Sequence, residues 1–214
     1  MSSQVLQPRV KICGITSTID AEYALAAGVD AIGLVFYAAS PRYVLPEQAR
    51  AIAAAVGPLV TVVGLFVDAQ VQYVSDIIAQ VPLNLLQFHG NESADYCRQF
   101  SLPYLKAIRM KPGLDLVNRI NAYRSASGIL LDSYRKGMPG GTGACFDWRL
   151  VPAHHGNRPL VLAGGLTAEN VQQAITRVRP YGVDISGGVE SAPGIKDEAK
   201  IQMFMQNVRR EAIQ

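Results

Sequence analysis

The amino-acid sequence predicts an α/β protein folded as a single (β/α)₈, or TIM, barrel over residues 1–214. Short apolar, β-rich runs alternate eight times with amphipathic helical patterns. The apolar runs are continuous, as in a parallel sheet that is buried on both faces. Eight such units in a chain of 214 residues favour a closed barrel. An open Rossmann-like or flavodoxin-like sheet is the alternative, but no G-x-G-x-x-G fingerprint follows the first strand.

The strands are predicted where β-branched and other apolar residues cluster between turn residues. The first lies within 9–16, and the others cover 30–36, 59–67, 84–88, 104–108, 128–132, 159–163 and 183–186. The helices follow the strands, because hydroxyl caps, an early proline and closing glycines mark their ends. The first helix is predicted to begin after the capping residues 16–18 and to end at Gly28. The other helices are predicted at 46–55, 71–80, 92–100, 114–124, 168–177 and 197–211, with a short one at 146–150.

Composition narrows the classes of partner and the compartment. A net charge of +3, without a basic run interleaved with aromatic residues, predicts no nucleic-acid partner. The longest apolar run, 59–67, is about half a membrane span, and residues 1–8 lack the apolar region of a signal peptide, so no membrane association is expected. Cys13, Cys97 and Cys145 are odd in number and widely spaced. This pattern fits neither a disulfide framework nor a zinc cluster and predicts a cytoplasmic protein.

Barrel closure places the residues that follow the eight strands around one rim. Cys13, His89, Arg109, Asp132, Gly164 and Ser186 are therefore expected to face a shared mouth. Each also has a simpler explanation: a lone cysteine is usually a small buried hydrophobe, a strand-end aspartate often caps a loop, and a histidine often makes structural hydrogen bonds.

Glycine pairs follow the last two strands and predict a phosphate site. Gly164 and Gly165 follow the seventh strand, and Gly187 and Gly188 follow Ser186 after the eighth. Backbone N–H groups in such loops form a nest for an anion, and the loops after strands seven and eight are the recurring phosphate site of this barrel. Ordinary tight turns are the alternative interpretation.

Several motifs together resemble the phosphoribosylanthranilate isomerase family of tryptophan biosynthesis, and the resemblance runs nearly end to end. The motifs are KICGIT at 11–16, SPRYV at 40–44, QFHGN at 87–91, LD at 131–132, GGTG at 140–143 with FDW at 146–148, AGGL at 163–166 and the segment 184–197. The resemblance implies a (β/α)₈ isomerase without metal or cofactor. It converts a small phosphosugar, N-(5-phosphoribosyl)anthranilate, to 1-(2-carboxyphenylamino)-1-deoxyribulose 5-phosphate by an Amadori rearrangement.

The resemblance also implies roles for individual residues. Asp132 is the general acid that protonates the sugar ring oxygen, and Cys13 is the general base that removes the proton from the second sugar carbon. Catalysis near neutral pH then requires that Asp132 hold its proton and that the pKa of Cys13 be lowered. Arg42 is expected to contact the anthranilate carboxylate, which matches a guanidinium fork.

The remaining site residues are expected to hold the sugar phosphate. His89 is assigned to substrate positioning or loop support, and Asp184 to the sugar hydroxyls. The phosphate is assigned to Gly164, Gly165, Ser186, Gly187 and Gly188, although serine is common in the family where this chain has Gly187. The glycine-rich loop 135–143 is expected to act as a lid, and the protein to be a monomer or homodimer.

Three other functions stay open on the residues alone. A metal-dependent sugar-phosphate epimerase would need paired histidines and carboxylates at strand ends, but His154 and His155 lie in a polar loop. A decarboxylative, indole-forming synthase would need a lysine and glutamates at the rim, whereas Lys106 lies within strand five. A non-catalytic protein that binds a phosphometabolite would tolerate the loss of Cys13 and Asp132.

Overall fold

The computed structural model describes residues 7–133, 145–152 and 158–210. Eight parallel strands follow one another around a closed barrel, and β8 pairs with β1 to complete it. This arrangement confirms the predicted fold class. The strands are β1 (Arg9–Cys13), β2 (Ala31–Val35), β3 (Thr61–Phe66), β4 (Leu85–Phe88), β5 (Tyr104–Met110), β6 (Gly128–Ser133), β7 (Leu160–Leu162) and β8 (Gly182–Ile185).

Seven α-helices within the described residues connect the strands and cover the barrel. They are α1 (Thr18–Ala26), α2 (Pro46–Val56), α3 (Val71–Gln80), α4 (Ala94–Cys97), α5 (Leu116–Ala122), α6 (Val171–Val178) and α7 (Glu198–Arg210). The predicted caps recur in the structure. Ser17 accepts a hydrogen bond from the backbone of Asp20, and Pro46 opens α2. The last helix buries Ile201, Phe204, Met205 and Val208, which share one face at helical spacing.

Alternate side chains of each strand point to opposite faces, so the residues that pack the core differ from those that line the candidate site. The outward side chains, among them Ile12, Leu34, Phe66 and Leu131, form the main apolar core against the helices. The inward side chains form small apolar clusters and, toward the carboxyl ends of the strands, include the polar groups that carry the candidate site.

Helix α4 is shorter than the predicted helix at 92–100. Glu92 does not enter the helix, because its carboxylate accepts hydrogen bonds from the backbone N–H groups of Asp68 and Gly90. The helix begins only after Ser93, whose hydroxyl caps it by accepting from the backbone of Tyr96. A buried glutamate with tertiary partners thus overrides the local helical pattern.

Two short elements after β8 have no counterpart in the sequence prediction. A 3₁₀ turn at Gly187–Val189 leads into an antiparallel hairpin of β9 (Glu190–Ala192) and β10 (Ile195–Lys196). Gly194 closes this hairpin with a φ of +83°, a conformation that favours glycine. The predicted short helix at 146–150 is a 3₁₀ turn at Trp148–Leu150.

A search of residues 7–133, 145–152 and 158–210 for a helix long and apolar enough to span a membrane finds none.

Candidate active site

A cavity of about 390 Å³ opens at the carboxyl ends of the barrel strands. Its lining includes every residue that the sequence assigned to the site: Cys13, Arg42, His89, Asp132, Gly164, Gly165, Asp184, Ser186, Gly187 and Gly188. Arg109 was expected at the same mouth, and this expectation is wrong. Its Nη2 donates to the backbone carbonyl of His89 at 2.9 Å, and it does not line the cavity.

Cys13 is the last residue of β1 and is 7% exposed. Lys11 lies two residues earlier on the same face of the strand, so both side chains point into the barrel. Gly33, which pairs with Cys13 in β2, leaves the space that they occupy. A Cβ atom added at Gly33 would lie 2.8 Å from Sγ of Cys13 and 3.1 Å from Cε of Lys11.

A buried ion pair joins β1 to β8 beneath the cavity. Nζ of Lys11 lies 2.9 Å from both carboxylate oxygens of Asp184. Burial opposes the charge of Lys11, but Asp184 and Cys13 outweigh it, so the pKa of Lys11 is raised and its amine stays protonated. Asp184 therefore serves as the counterion of Lys11, in addition to any contact with a sugar hydroxyl.

The protonation of Cys13 differs from the prediction. Burial raises the pKa of its thiol above the ordinary value of 9.0, although the nearby amines of Lys11 and Lys196 act in the opposite direction. The prediction of a lowered pKa is therefore wrong for this structure, because loss of solvent outweighs the two cations.

Asp132 lies in β6, and its two carboxylate oxygens have different partners. Oδ1 accepts a hydrogen bond from the backbone N–H of Ser133 at 2.8 Å, and Oδ2 lies 2.8 Å from Nε2 of His89. Nδ1 of His89 in turn lies 2.9 Å from Nε2 of Gln87. Gln87 was not predicted as a site residue. The available signal was a polar residue inside the apolar strand β4, two positions before His89 and hence on the same face.

The glycine pairs bring the loops after β7 and β8 together. Gly164 and Gly165 adopt φ values of +82° and +69°, which other residues rarely adopt. A Cβ atom at Gly188 would collide with the carbonyl oxygen of Leu166, so this glycine permits the loops to touch. Between them, Oγ of Ser186 is buried without a hydrogen-bond partner among the described residues.

Arg42 reaches the cavity from the loop after β2, but its fork is already engaged. Nε and Nη2 each lie 2.7 Å from one oxygen of Glu190. Lys196 donates from Nζ to Glu190 at 2.8 Å and to the backbone carbonyl of Cys13 at 2.7 Å. Glu190 and Lys196 belong to the segment 184–197 that carried the resemblance, but neither was predicted to contact Arg42 or Cys13.

Two alternative functions find little support in the described part of the chain. No group of three or more His, Cys, Asp or Glu side chains placed to hold a metal occurs there. Lys106 does not line the cavity. Its Nζ donates to Glu92 and to the backbone carbonyls of Phe88 and Gly90, within the layer between strand and helix. The expected lid at 135–143 lies outside the described residues, as do His154 and His155.

Comparison with known proteins agrees with this geometry. The sequence model of a family described as N-(5'-phosphoribosyl)anthranilate isomerase matches residues 10–207. A Cellvibrio japonicus protein of that name is 62% identical over 92% of this chain and 91% of its own length. The crystal structure of the Thermotoga maritima isomerase superposes with a TM-score of 0.87 and 42% identity, covering 95% of this chain and 99% of that one.

A second isomerase structure contains reduced 1-(o-carboxyphenylamino)-1-deoxyribulose 5-phosphate. It superposes with a TM-score of 0.84 and 41% identity, covering 95% of this chain and 99% of that one. The family match spans all eight strands of the barrel, and the identity of the relatives extends over nearly the whole chain. The chain therefore belongs to the N-(5'-phosphoribosyl)anthranilate isomerase family.

Proposed function

We propose that this chain catalyses the Amadori rearrangement of N-(5-phosphoribosyl)anthranilate in tryptophan biosynthesis, with Asp132 as general acid and Cys13 as general base. The observation that carries the assignment is one cavity shared by a carboxyl group at the end of β6 and a thiol at the end of β1. The glycine loops after β7 and β8 line the same cavity.

The first step opens the furanose ring. Asp132 gives a proton to the ring oxygen as the bond between this oxygen and the first sugar carbon breaks, and the anthranilate nitrogen supplies the electron pair for a Schiff base. Two groups then meet the carboxylate that remains. The backbone N–H of Ser133 donates to Oδ1, and His89 lies beside Oδ2. Such preorganised donors stabilise charge that develops during the reaction.

The second step moves a proton away from the second sugar carbon. The thiolate of Cys13 removes this proton, and the electron pair of the C–H bond neutralises the Schiff base to give an enolamine. Return of a proton to the first carbon, with loss of the hydroxyl proton at the second, gives the ketone. The reaction is therefore an isomerisation, and no electrons leave the substrate.

Deprotonation of Cys13 is the demanding part of this scheme, because burial raises the pKa of its thiol. The ammonium group of Lys11, held by Asp184 on the same strand face, is the largest influence that lowers the pKa of Cys13. Lys196 adds a second positive charge against the backbone carbonyl of Cys13. Both amines stabilise the thiolate relative to the thiol.

Substrate binding divides between the glycine loops and Arg42. We assign the phosphate to Gly164, Gly165, Ser186, Gly187 and Gly188, where backbone N–H groups and one hydroxyl suit an anion. Arg42 comes from the loop after β2 and lies next to this nest, because a Cβ atom at Gly187 would lie 3.3 Å from its Nη2. Two of its N–H groups bind Glu190, and we assign its remaining N–H donors to the anthranilate carboxylate.

The test is turnover of freshly generated N-(5-phosphoribosyl)anthranilate, followed through the loss of its fluorescence with EDTA present. We expect conversion by the wild type, and Cys13→Ala and Asp132→Asn should each lower kcat by about 10²- to 10⁴-fold. Both variants should still bind the reduced product analogue. A variant that turns over at the wild-type rate would remove that residue from the mechanism, and a folded wild type without turnover would refute the proposed function.

Two further properties of the protein stay predictions. We expect it to act in the cytoplasm, where its three unpaired cysteines would stay reduced. We expect a monomer or a homodimer, which light scattering coupled to size-exclusion chromatography distinguishes directly.

A further inference from the structure

Gln87 stands out among the buried polar residues because the mechanism above gives it no task. It is fully buried, it lines the cavity, and it points inward from β4 between apolar neighbours. Its Nε2 lies 2.9 Å from Nδ1 of His89, whereas its Oε1 is buried without a partner among the described residues. An unsatisfied buried oxygen calls for an explanation, because an apolar side chain would fill the same space without that cost.

The contact with His89 offers the explanation. An amide N–H group can donate but cannot accept, so it favours a histidine whose Nδ1 carries no proton. A neutral imidazole has one proton, which must then reside on Nε2. Nε2 is the atom that lies 2.8 Å from Oδ2 of Asp132. The direction of the first hydrogen bond therefore fixes the direction of the second.

We propose that Gln87 is a positioning residue that keeps His89 neutral, with its proton on Nε2, and so leaves Asp132 able to act as an acid. The inference rests on the proposed role of Asp132. A second proton on Nδ1 would face the Gln87 amide N–H and repel it. Without that repulsion, His89 could become a cation, and a cation 2.8 Å from the carboxyl group would hold Asp132 ionised.

A neutral histidine also suits the state after proton transfer. Once Asp132 has given its proton to the substrate, the Nε2–H group of His89 and the backbone N–H of Ser133 each donate to one carboxylate oxygen. The other tautomer would place a lone pair against the new negative charge. The same position of Gln87 thus serves both the protonated and the ionised form of Asp132.

Other charged groups near the pair do not replace this control. Arg109 donates to the carbonyl of His89 and disfavours a further cation there. The charges of Lys11 and Asp184 oppose each other across their ion pair. Burial raises the pKa of the Cys13 thiol, which opposes a charge there before the thiol is deprotonated for the second step. None of these groups contacts Nδ1, so they do not decide which ring nitrogen carries the proton.

The direct test is ¹⁵N NMR of the protein labelled at histidine. The chain has three histidines, so the double variant His154→Gln, His155→Gln leaves only the signals of His89. At pH 7.5 we expect one protonated ring nitrogen, Nε2, and one bare ring nitrogen, Nδ1. Protons on both nitrogens, or a proton on Nδ1 alone, would overturn the proposal even if the enzyme is fully active.

Two substitutions distinguish tautomer control from packing. Gln87→Glu has the same shape but offers an acceptor to Nδ1, so His89 should become doubly protonated and kcat should fall by about 10²- to 10⁴-fold, the usual worth of a general acid. Gln87→Met has similar length and no hydrogen-bonding group, so neither ring nitrogen is favoured, the fixed tautomer of His89 should be lost, and kcat should fall less than in Gln87→Glu, which holds the second proton in place. A packing role predicts the opposite order, because glutamate is the closer match in shape.

The proposed acid is tested separately by Asp132→Asn. If this variant keeps wild-type turnover, Asp132 is not the acid, whatever the tautomer of His89. If it loses turnover while wild-type His89 proves to be doubly protonated, the acid stands and the role of Gln87 falls. Binding of the reduced product analogue by both Gln87 variants shows that the site has kept its shape, and the NMR experiment on the chain with native Gln87 decides the matter if neither variant folds.

Discussion

Replacement of Glu190 by glutamine should destabilise the protein strongly, because Glu190 is the shared counterion of two cations. Arg42 contributes two hydrogen bonds of 2.7 Å, and Lys196 contributes one of 2.8 Å. The side chains of Glu190 and Lys196 are 5% and 0% exposed, so water cannot replace the lost charge. Glutamine keeps the shape of the side chain and removes only its charge, which makes Glu190→Gln the cleanest perturbation of this cluster.

The expected loss follows from the burial of Lys196. Removal of one partner of a buried ion pair costs about 3–5 kcal/mol, because the other charge stays behind uncompensated. In a protein of this size, such a loss corresponds to a decrease in Tm of about 6–20 °C. Glu22→Gln is the matched control, since Glu22 is exposed and a surface substitution changes stability by about 0.5 kcal/mol or less.

The pH dependence gives a second, independent check. Burial alone would raise the pKa of Glu190, but the bonds and charges of Arg42 and Lys196 lower it below the ordinary value of 4.5. A lowered pKa means that this stabilisation is complete above pH 4.5 and is lost as the pH falls through the pKa of the folded state. Urea unfolding should therefore separate wild type from Glu190→Gln fully at pH 7 and progressively less below pH 4.5. A difference that is below 1 kcal/mol at pH 7, or that grows on acidification, would refute the reasoning.

Three further substitutions or reactions probe other parts of the structure. Lys106→Met should lower the free energy of unfolding, measured with urea, by about 3–5 kcal/mol, because it leaves the buried carboxylate of Glu92 without its counterion. A change of less than 1 kcal/mol would contradict this prediction. Alkylation of Cys13 by iodoacetamide, followed by mass spectrometry, should rise about tenfold per pH unit up to at least pH 9, since only the thiolate reacts and burial raises the thiol pKa above 9.0. A plateau below pH 8 would contradict it. Gly33→Ala should lower kcat, because its Cβ would lie 2.8 Å from Sγ of Cys13 and force the thiol to move, and this crowding should also lower the free energy of unfolding by about 1–3 kcal/mol. Unchanged kcat would show that the thiol moves without loss of function.

Periodicity and turn residues were sufficient to predict the barrel, because each βα unit is encoded locally. The apolar run Ile129–Leu131 is sufficient to predict β6, and one apolar stripe at helical spacing is sufficient to predict α7. The errors arose where a tertiary partner intervened. Glu92 has a helical pattern behind it, yet two backbone N–H groups and Lys106 keep it out of α4. No local pattern in the sequence records those partners.

The candidate site shows the same division between topology and contact. The strand-end rule brought Cys13, His89 and Asp132 to one cavity, because every parallel strand of a barrel ends at the same rim. The rule does not predict where each side chain points or which residue it contacts. It predicted that Arg109 faces the mouth, whereas in the structure Arg109 binds a backbone carbonyl and does not line the cavity. It also did not predict the contact between Glu190 and Arg42, which are 148 positions apart. Long-range polar partners of this kind are set by the closed barrel and leave no spacing in the sequence.

Glycine has a second role in this chain, which the sequence did not predict: it leaves space for candidate catalytic side chains. The pairs after β7 and β8 were interpreted as an anion nest, but Gly164 also leaves room for Asp132, since a Cβ there would lie 2.9 Å from Oδ1. Gly33 does the same for Cys13 from the middle of a strand, where glycine ordinarily weakens a sheet. Both candidate catalytic groups thus rest against a residue without a side chain. Because a barrel of this size is otherwise filled by its inward side chains, such omissions are what open a reaction cavity at the mouth while the outer core stays packed.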